Sequence, residues 1–250
     1  MEYVLGFLIA VVIALTGVGA GTATVPLLIL FLHVPSDVAV STALAYSSIV
    51  KLIAVPVQVI RKQVDYRVLG WMLIGGLPGV VVGSLLFTQA MAHFGRSPLY
   101  FLLGITIVLS SAWHIFRHFY PTEIIRSPRW YPKSLSATCL FIGTEVGFSS
   151  SGAGALGTVA LLGLTDLPTT RIVGTDLAFG LAIALLGSSF HMSLHSGASP
   201  LIIRMGIGGI FGAILGTAAA PKIANRNLRL ALSLWLVVIG LDLFCHAFAR

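Results

Sequence analysis

Most basic residues in this sequence sit in short connections between long apolar stretches, and that arrangement admits few folds. Apolar types make up 57% of the 250 residues and charged types 9%, whereas a water-soluble domain carries roughly 25% charged residues to cover its surface. Mean hydropathy is +0.99, so most of the surface must face lipid. A helical span needs about 20 apolar residues. The chain therefore has room for roughly eight to ten membrane elements with short loops and no stretch for a soluble domain. It reads as an all-α integral membrane protein whose first partner is the lipid bilayer. The high pI, 9.9, does not indicate nucleic acid, because the basic residues form neither one run nor one face. The apolar start, residues 3–15, carries Glu2 and no basic residue ahead of it; it reads as a retained span rather than a signal peptide. Cys139 and Cys245 lie far apart inside apolar stretches and offer neither a disulfide framework nor a zinc site.

The chain is one half written twice. Displaced by 133 residues, Gly19-Ala20-Gly21 falls on Gly152-Ala153-Gly154, Pro35 on Pro168, and Thr42-x-Leu44-Ala45 on Thr175-x-Leu177-Ala178. The same ungapped displacement lays Gly75, Gly76, Gly79 and Gly83 on Gly208, Gly209, Gly212 and Gly216. The halves are residues 1–120 and 134–250, joined by the polar segment 121–133. Each breaks at Gly, Pro or charge clusters into five apolar elements. They run near 1–16, 22–33, 37–60, 67–90 and 98–119, then 134–149, 155–165, 169–192, 201–220 and 228–248.

Five is odd, so the two halves should be antiparallel in the membrane: two inverted five-element repeats, about ten membrane elements in all. Charge supports this independently. Most of the 15 basic residues, Arg61, Lys62, Arg67, Arg126 and Arg226 among them, fall in odd-numbered loops. The positive-inside rule then places those loops, including the 121–133 linker, in the cytoplasm and both termini outside. Equivalent loops also differ in charge. Residues 61–67 carry three Lys or Arg side chains and their counterpart 194–200 none.

The second element of each half is only about 18 Å long at 1.5 Å per residue, short of a 30 Å hydrocarbon core. Two short helices around a glycine-rich joint predict a re-entrant or broken hairpin with its tip inside the membrane. Irregular backbone at that depth survives only where protein buries it or where it lines a cavity. The joints are Thr16-Gly17-Val18-Gly19-Ala20-Gly21-Thr22 and Ser149-Ser150-Ser151-Gly152-Ala153-Gly154. Each leads into a helix N-terminus, whose free N–H groups and positive dipole end suit an anion. Such glycines also serve as packing positions or surface turns. Their duplication beside two short elements favours the cavity role, and it makes Gly19, Gly21, Ser151, Gly152 and Gly154 candidate substrate contacts.

The third elements supply Ser41-Thr42 and Gly174-Thr175-Asp176. On a helical wheel Ser41, Ser48, Lys51 and Gln58 fall within about 100°, one polar stripe on an apolar span. Lys51 lies too deep to snorkel easily, and an ionisable residue there is a functional candidate; its counterpart is Ala184. Glu145 and Asp176 are the buried acids, as charge partners for Lys51 or Arg171 or as proton carriers. A joint and a third-element hydroxyl from each half, with Ser41, Thr42 and Thr175 among them, are expected to converge at the midplane.

Three other patterns fail. Gly152-x-Gly154-x-x-Gly157 matches a dinucleotide-binding loop but lacks the preceding strand. Gly147-x-Ser149 begins like a nucleophile elbow, yet Ser151 stands where the second glycine is required. His191 and His195 have metal-ligand spacing but no third ligand nearby. No cofactor and no metal are expected. The glycines spaced four apart at 75, 79, 83 and at 208, 212, 216 read as close-packing helix faces.

These segments resemble the sulfite exporter, or TauE/SafE, family of permeases. The resemblance rests on Gly17-Val18-Gly19-Ala20-Gly21, on Pro35-Ser36-Asp37-Val38-Ala39-Val40-Ser41-Thr42 and on Gly76-Leu77-Pro78-Gly79, in that order and duplicated, over essentially the whole chain. Ala20 and Ala153 interrupt what is often a glycine triplet, Ser41 replaces the usual glycine, and Asp176 stands where a serine is common. The resemblance implies a non-enzymatic secondary transporter for a small anion such as sulfite, thiosulfate or an organosulfonate, in a prokaryotic cytoplasmic membrane. A homo-oligomer is compatible with it. The competing readings are a passive anion channel or uniporter, which would show no coupling ion, and an intramembrane hydrolase using Ser151 with a histidine.

Overall fold

The computed structural model describes residues 2–16, 20–94, 131–150, 153–194 and 199–223, with the single positions 105 and 108. They form eight helices and, among the described residues, no strand. The helices are α1 (Glu2–Thr16), α2 (Ala20–Leu32), α3 (Ser36–Ile60), α4 (Tyr66–Phe94), α5 (Pro132–Ser149), α6 (Ala153–Leu164), α7 (Thr169–Leu194) and α8 (Ser199–Ile223). These correspond closely to eight of the ten elements read from the sequence. The other two, 98–119 and 228–248, lie outside the described residues, as does the linker apart from its last residues.

Local chemistry sets the boundaries. Pro35, with φ −55° and ψ 147°, precedes α3, as the steric bias of proline against a preceding helix predicts. Lys62 takes a left-handed φ of 55°, and the N–H groups of Arg61 and Lys62 close the last turn of α3 on the carbonyls of Val57 and Val59. Asp65 then caps α4, its Oδ1 accepting the N–H groups of Arg67 and Val68 at 3.1 Å each; such a cap contributes about 1 kcal/mol. Pro132 opens α5 at a position where a missing N–H costs nothing. The short elements are short indeed: α2 has 13 residues and α6 has 12.

Helices α3 and α7 form the centre, antiparallel, with Lys51 over Gly180 and the side chain of Leu44 over Gly187. Two close pairs flank them, α4 with α5 and α1 with α8. In the first, Gly75, Gly79 and Gly83 abut the backbone of Ser136, Leu140 and Thr144. In the second, Gly208, Gly212 and Gly216 abut Tyr3, Phe7 and Val11. The ascending numbers on both sides mean that the partners in each pair run in the same direction. A Cβ at any of these glycines would fall against a neighbouring helix, mostly on its backbone, so the small-residue faces are helix interfaces and not lipid faces.

The two sets of contacts are the same set displaced by the repeat. Ser136, Leu140 and Thr144 are the counterparts of Tyr3, Phe7 and Val11. Likewise Gly76 meets the ring of Phe179 where Gly209 meets that of Tyr46, and Tyr46 and Phe179 are counterparts too. Tyr46 also donates its hydroxyl to the Gly6 carbonyl, tying α3 to α1.

Helices α3, α4, α7 and α8 each contain a stretch long and apolar enough to cross a membrane. Their outward faces carry large exposed apolar side chains, such as Ile74 and Leu85 on α4 and Ile203, Phe211 and Leu215 on α8. A water-soluble monomer rarely shows contiguous apolar faces of this extent; lipid accounts for them.

Candidate functional site

The two glycine-rich joints meet inside the bundle. Gly21, in the first turn of α2, packs against the backbone carbonyl and hydroxyl of Ser150, the residue that ends α5. No side chain fits at Gly21, since a Cβ would overlap the Ser150 carbonyl. Ser150 is left-handed, with φ 61°, a conformation that costs a non-glycine residue roughly 1–3 kcal/mol and clusters at functional positions. Its side chain is 5% exposed, and among the described residues its Oγ has no hydrogen-bond partner. Gly154 stands one residue into α6. First-turn N–H groups of α2 and α6 have no carbonyl partners within their own helices, and both helices begin at these joints. Gly19, Ser151 and Gly152 lie outside the described residues.

From the joint, α6 leads to a buried pair of opposite charges. Asp176 on α7 and Lys51 on α3 are each 6% exposed and interact electrostatically. Gly157 faces Asp176 Oδ1 so closely that a Cβ would collide with it, and Gly180 leaves the space that Lys51 Nζ occupies. Gly180 follows Asp176 by one helical turn, so both project from one face of α7. Thr158 Oγ lies 2.9 Å from Asp176 Oδ2 and 3.0 Å from the Gly154 carbonyl. Asp176 Oδ1 has no hydrogen-bond partner among the described residues. The group acting on Lys51 is thus Asp176. Glu145 sits half-buried on α5, and Arg171 pairs at 3.9 Å with Asp65 at the surface, where such pairs are worth about 0–1 kcal/mol.

The remaining candidates do not converge. Because Leu44 lies level with Gly187 and Lys51 with Gly180, Thr42 falls level with Ser189 and Thr175 with Pro56. The two threonines therefore stand about 20 Å apart along the helices, on opposite sides of the centre. The expectation that they meet at the midplane is corrected by the antiparallel register of α3 and α7, which carries counterparts away from each other in proportion to their distance from the two-fold centre. Thr175 is engaged elsewhere. Its Oγ accepts the Asp65 N–H at 2.9 Å, anchoring the basic α3–α4 turn to α7. Thr42 is fully buried, and its Oγ has no partner among the described residues. Ser41 donates to the Asp37 carbonyl one turn back, 2.8 Å away, so its proton is committed to its own helix.

Sequence reasoning passes over Ser150, Thr158, Gly157 and Gly180. Only the joint serines carry a signal, and there the pattern points to Ser151. The other three acquire their roles from neighbours on another helix. His191 sits 3.0 Å from the Gly147 carbonyl and against the Phe87 ring, while His195 lies outside the described residues. Among the described residues no group of three metal-ligating side chains comes together.

The profile of the family described as "Sulfite exporter TauE/SafE" matches residues 3–243. The chain belongs to the TauE/SafE family. This TauE/SafE member is accordingly a multi-pass membrane transporter rather than an enzyme, and the hydrolase reading falls away. It is 28% identical over 248 residues to the protein named "Probable membrane transporter protein YjnA" of Bacillus subtilis (strain 168), covering 96% of this chain and 97% of that protein. No solved structure matches it.

Proposed function

We propose that this TauE/SafE protein is a secondary transporter carrying a small sulfur-containing anion, such as sulfite, thiosulfate or an organosulfonate, across a prokaryotic cytoplasmic membrane. The observation that carries the reading is the contact of Gly21 with Ser150. It sets the start of one half-length helix against the residue that ends α5, ahead of the other, with the Ser150 hydroxyl, which has no partner among the described residues, at the contact. The central helix α3 carries the buried Lys51. Helix N-termini, a hydroxyl and an ammonium are the groups that recognise an oxyanion in a water-poor site. The substrate contacts are Gly19, Gly21, Ser150, Gly152, Gly154 and Lys51, with Ser151 following in the joint. The family description names sulfite export, which favours a sulfur oxyanion among the possible anions.

The transport unit is two inverted five-element repeats, residues 1–120 and 134–250. Support comes from the glycine contacts repeated at the displacement of the sequence repeat. It comes also from α4 and α5 running in the same direction, as the fourth and sixth elements of such a repeat do when the apolar stretch 98–119 is counted as the fifth.

Two measurements test this. Purified protein warmed with sulfite, thiosulfate and sulfoacetate gains thermal stability in a saturable way with at least one of them, because a ligand of the folded state stabilises it by mass action. Stability unchanged by all three, and by carboxylate analogues, overturns the anion-transport reading. For topology, single cysteines at Gln63 and Ser199, in a protein lacking Cys139 and Cys245, label from opposite sides, with Gln63 cytoplasmic and both termini outside. Labelling from one side refutes the inverted repeat.

A further inference from the structure

We infer that Asp176 is the coupling site of this transporter, taking up a proton when the anion engages Lys51, so that anion and proton are carried together, electroneutrally when the anion is a monoanion such as hydrogensulfite. The inference rests on the anion-transport reading and supplies its coupling ion. It begins from charge balance. The bundle interior holds Lys51 and Asp176 within electrostatic reach of each other, Lys51 Nζ lying against Gly180 one helical turn from Asp176, each residue 6% exposed and with no net charge between them. An anion that draws on the Lys51 ammonium competes with the Asp176 carboxylate for it. Without a proton, at least two negative charges would share one positive charge in a poorly solvated interior, where an uncompensated charge is strongly disfavoured. If Asp176 binds one proton, the anion–lysine pair and a neutral carboxyl remain; with a monoanion the interior is neutral again, and with a dianion the proton removes one of the two excess negative charges.

The hydrogen bonds around Asp176 suit both of its states. Thr158 Oγ has one proton and two acceptors within reach, Asp176 Oδ2 at 2.9 Å and the Gly154 carbonyl at 3.0 Å. With Asp176 ionised, Thr158 donates to the carboxylate. With Asp176 protonated, the carboxyl O–H donates to Thr158 Oγ, and Thr158 turns its own proton to Gly154. Neither state leaves the threonine unsatisfied, and the switch ends on a residue of the joint itself. Asp176 Oδ1, without a partner among the described residues, is the other oxygen open to protonation.

Groups facing Asp176 from the packed elements are few. Lys51 comes from α3, Cys139 from α5 within electrostatic reach, and the non-titrating Thr158 from α6. The described titratable residues of α4, Tyr66, Arg67 and His93, lie at its two ends. The repeat sets this pair apart, because the counterparts of Lys51 and Asp176 are Ala184 and Ala43. The pair therefore occurs once, on the side of the basic α3–α4 turn, where Thr175, next to Asp176, holds the Asp65 N–H.

The test is calorimetric titration of the purified full-length protein with sulfite, thiosulfate and sulfoacetate in buffers of different ionisation enthalpy at neutral pH. Wild-type protein takes up about one proton per bound anion. Asp176→Asn, freed of the competing carboxylate, binds the same anion at least as tightly with no uptake beyond the ligand's own buffering. In proteoliposomes a pH gradient drives accumulation by the wild type and not by Asp176→Asn. Anion binding by the wild type without proton uptake overturns the inference while leaving the transport reading intact; so does equal uptake by Asp176→Asn. Absence of binding to any of the three overturns both. The wild-type proton count decides the matter even if Asp176→Asn does not fold.

Discussion

Gly79→Leu and Gly212→Leu each abolish folded, monodisperse protein. Gly79 faces the Leu140 carbonyl on α5, and Gly212 faces the Phe7 carbonyl on α1, both closer than any Cβ tolerates. The obstacles are backbone atoms of a neighbouring helix and not the flexible end of a side chain, so relief requires the helices to part along their length. Overpacking in a core that can adjust costs about 1–3 kcal/mol. Here the whole α4–α5 or α1–α8 interface opens, a loss comparable to a total stability of about 5–15 kcal/mol. Fluorescence-detected size exclusion of tagged variants reads the outcome directly. Gly163→Leu is the control, because nothing stands within 4 Å of its Cβ position, and it elutes as the wild type does. Normal elution of both interface variants would mean that α4 and α8 do not pack by these faces.

Lys51→Met produces the second large effect, on stability and on binding together. It leaves the Asp176 carboxylate buried without its countercharge, and breaking a buried pair by removing one partner costs about 3–5 kcal/mol. The double variant Lys51→Met/Asp176→Asn regains most of that stability, since two neutral side chains of similar size replace the pair and Thr158 still has a partner in the amide. It does not regain anion binding, because the ammonium is gone. Thermal unfolding of the single and double variants, with and without the anion that stabilises the wild type, separates the two roles. A double variant as unstable as Lys51→Met would show that Lys51 serves packing and not charge compensation. A double variant that binds the anion like wild type would remove Lys51 from the site.

Several features of the site are legible in the order of residues alone. The duplicated joints mark the place where Gly21 and Ser150 meet, and the failure of the repeat at position 51 marks the buried lysine. The pairing of charges is not legible there. Glu145 and Asp176 are both acids inside apolar stretches, and Lys51 and Arg171 are both candidate partners. Only the packing of α3 on α7 matches Asp176 to Lys51 and sends Arg171 to Asp65. Thr175 misleads for a related reason. Its alignment with Thr42 is real, but counterparts in an antiparallel pair approach each other only near the two-fold centre, and these two lie well away from it.

By itself the sequence determined the class of molecule, the helix limits, the duplication and the glycine faces. Each follows from short-range chemistry: apolar side chains that must face lipid, prolines and caps that start and stop helices, and small residues at a period of four. What the tertiary structure alone decided is which face meets which. Gly157 and Gly180 are ordinary helix glycines until Asp176 and Lys51 come to rest against them, and Thr158 is an ordinary threonine until it stands between Asp176 and Gly154. Those relations join residues on different helices. No local pattern encodes them, because they depend on the register at which whole helices settle.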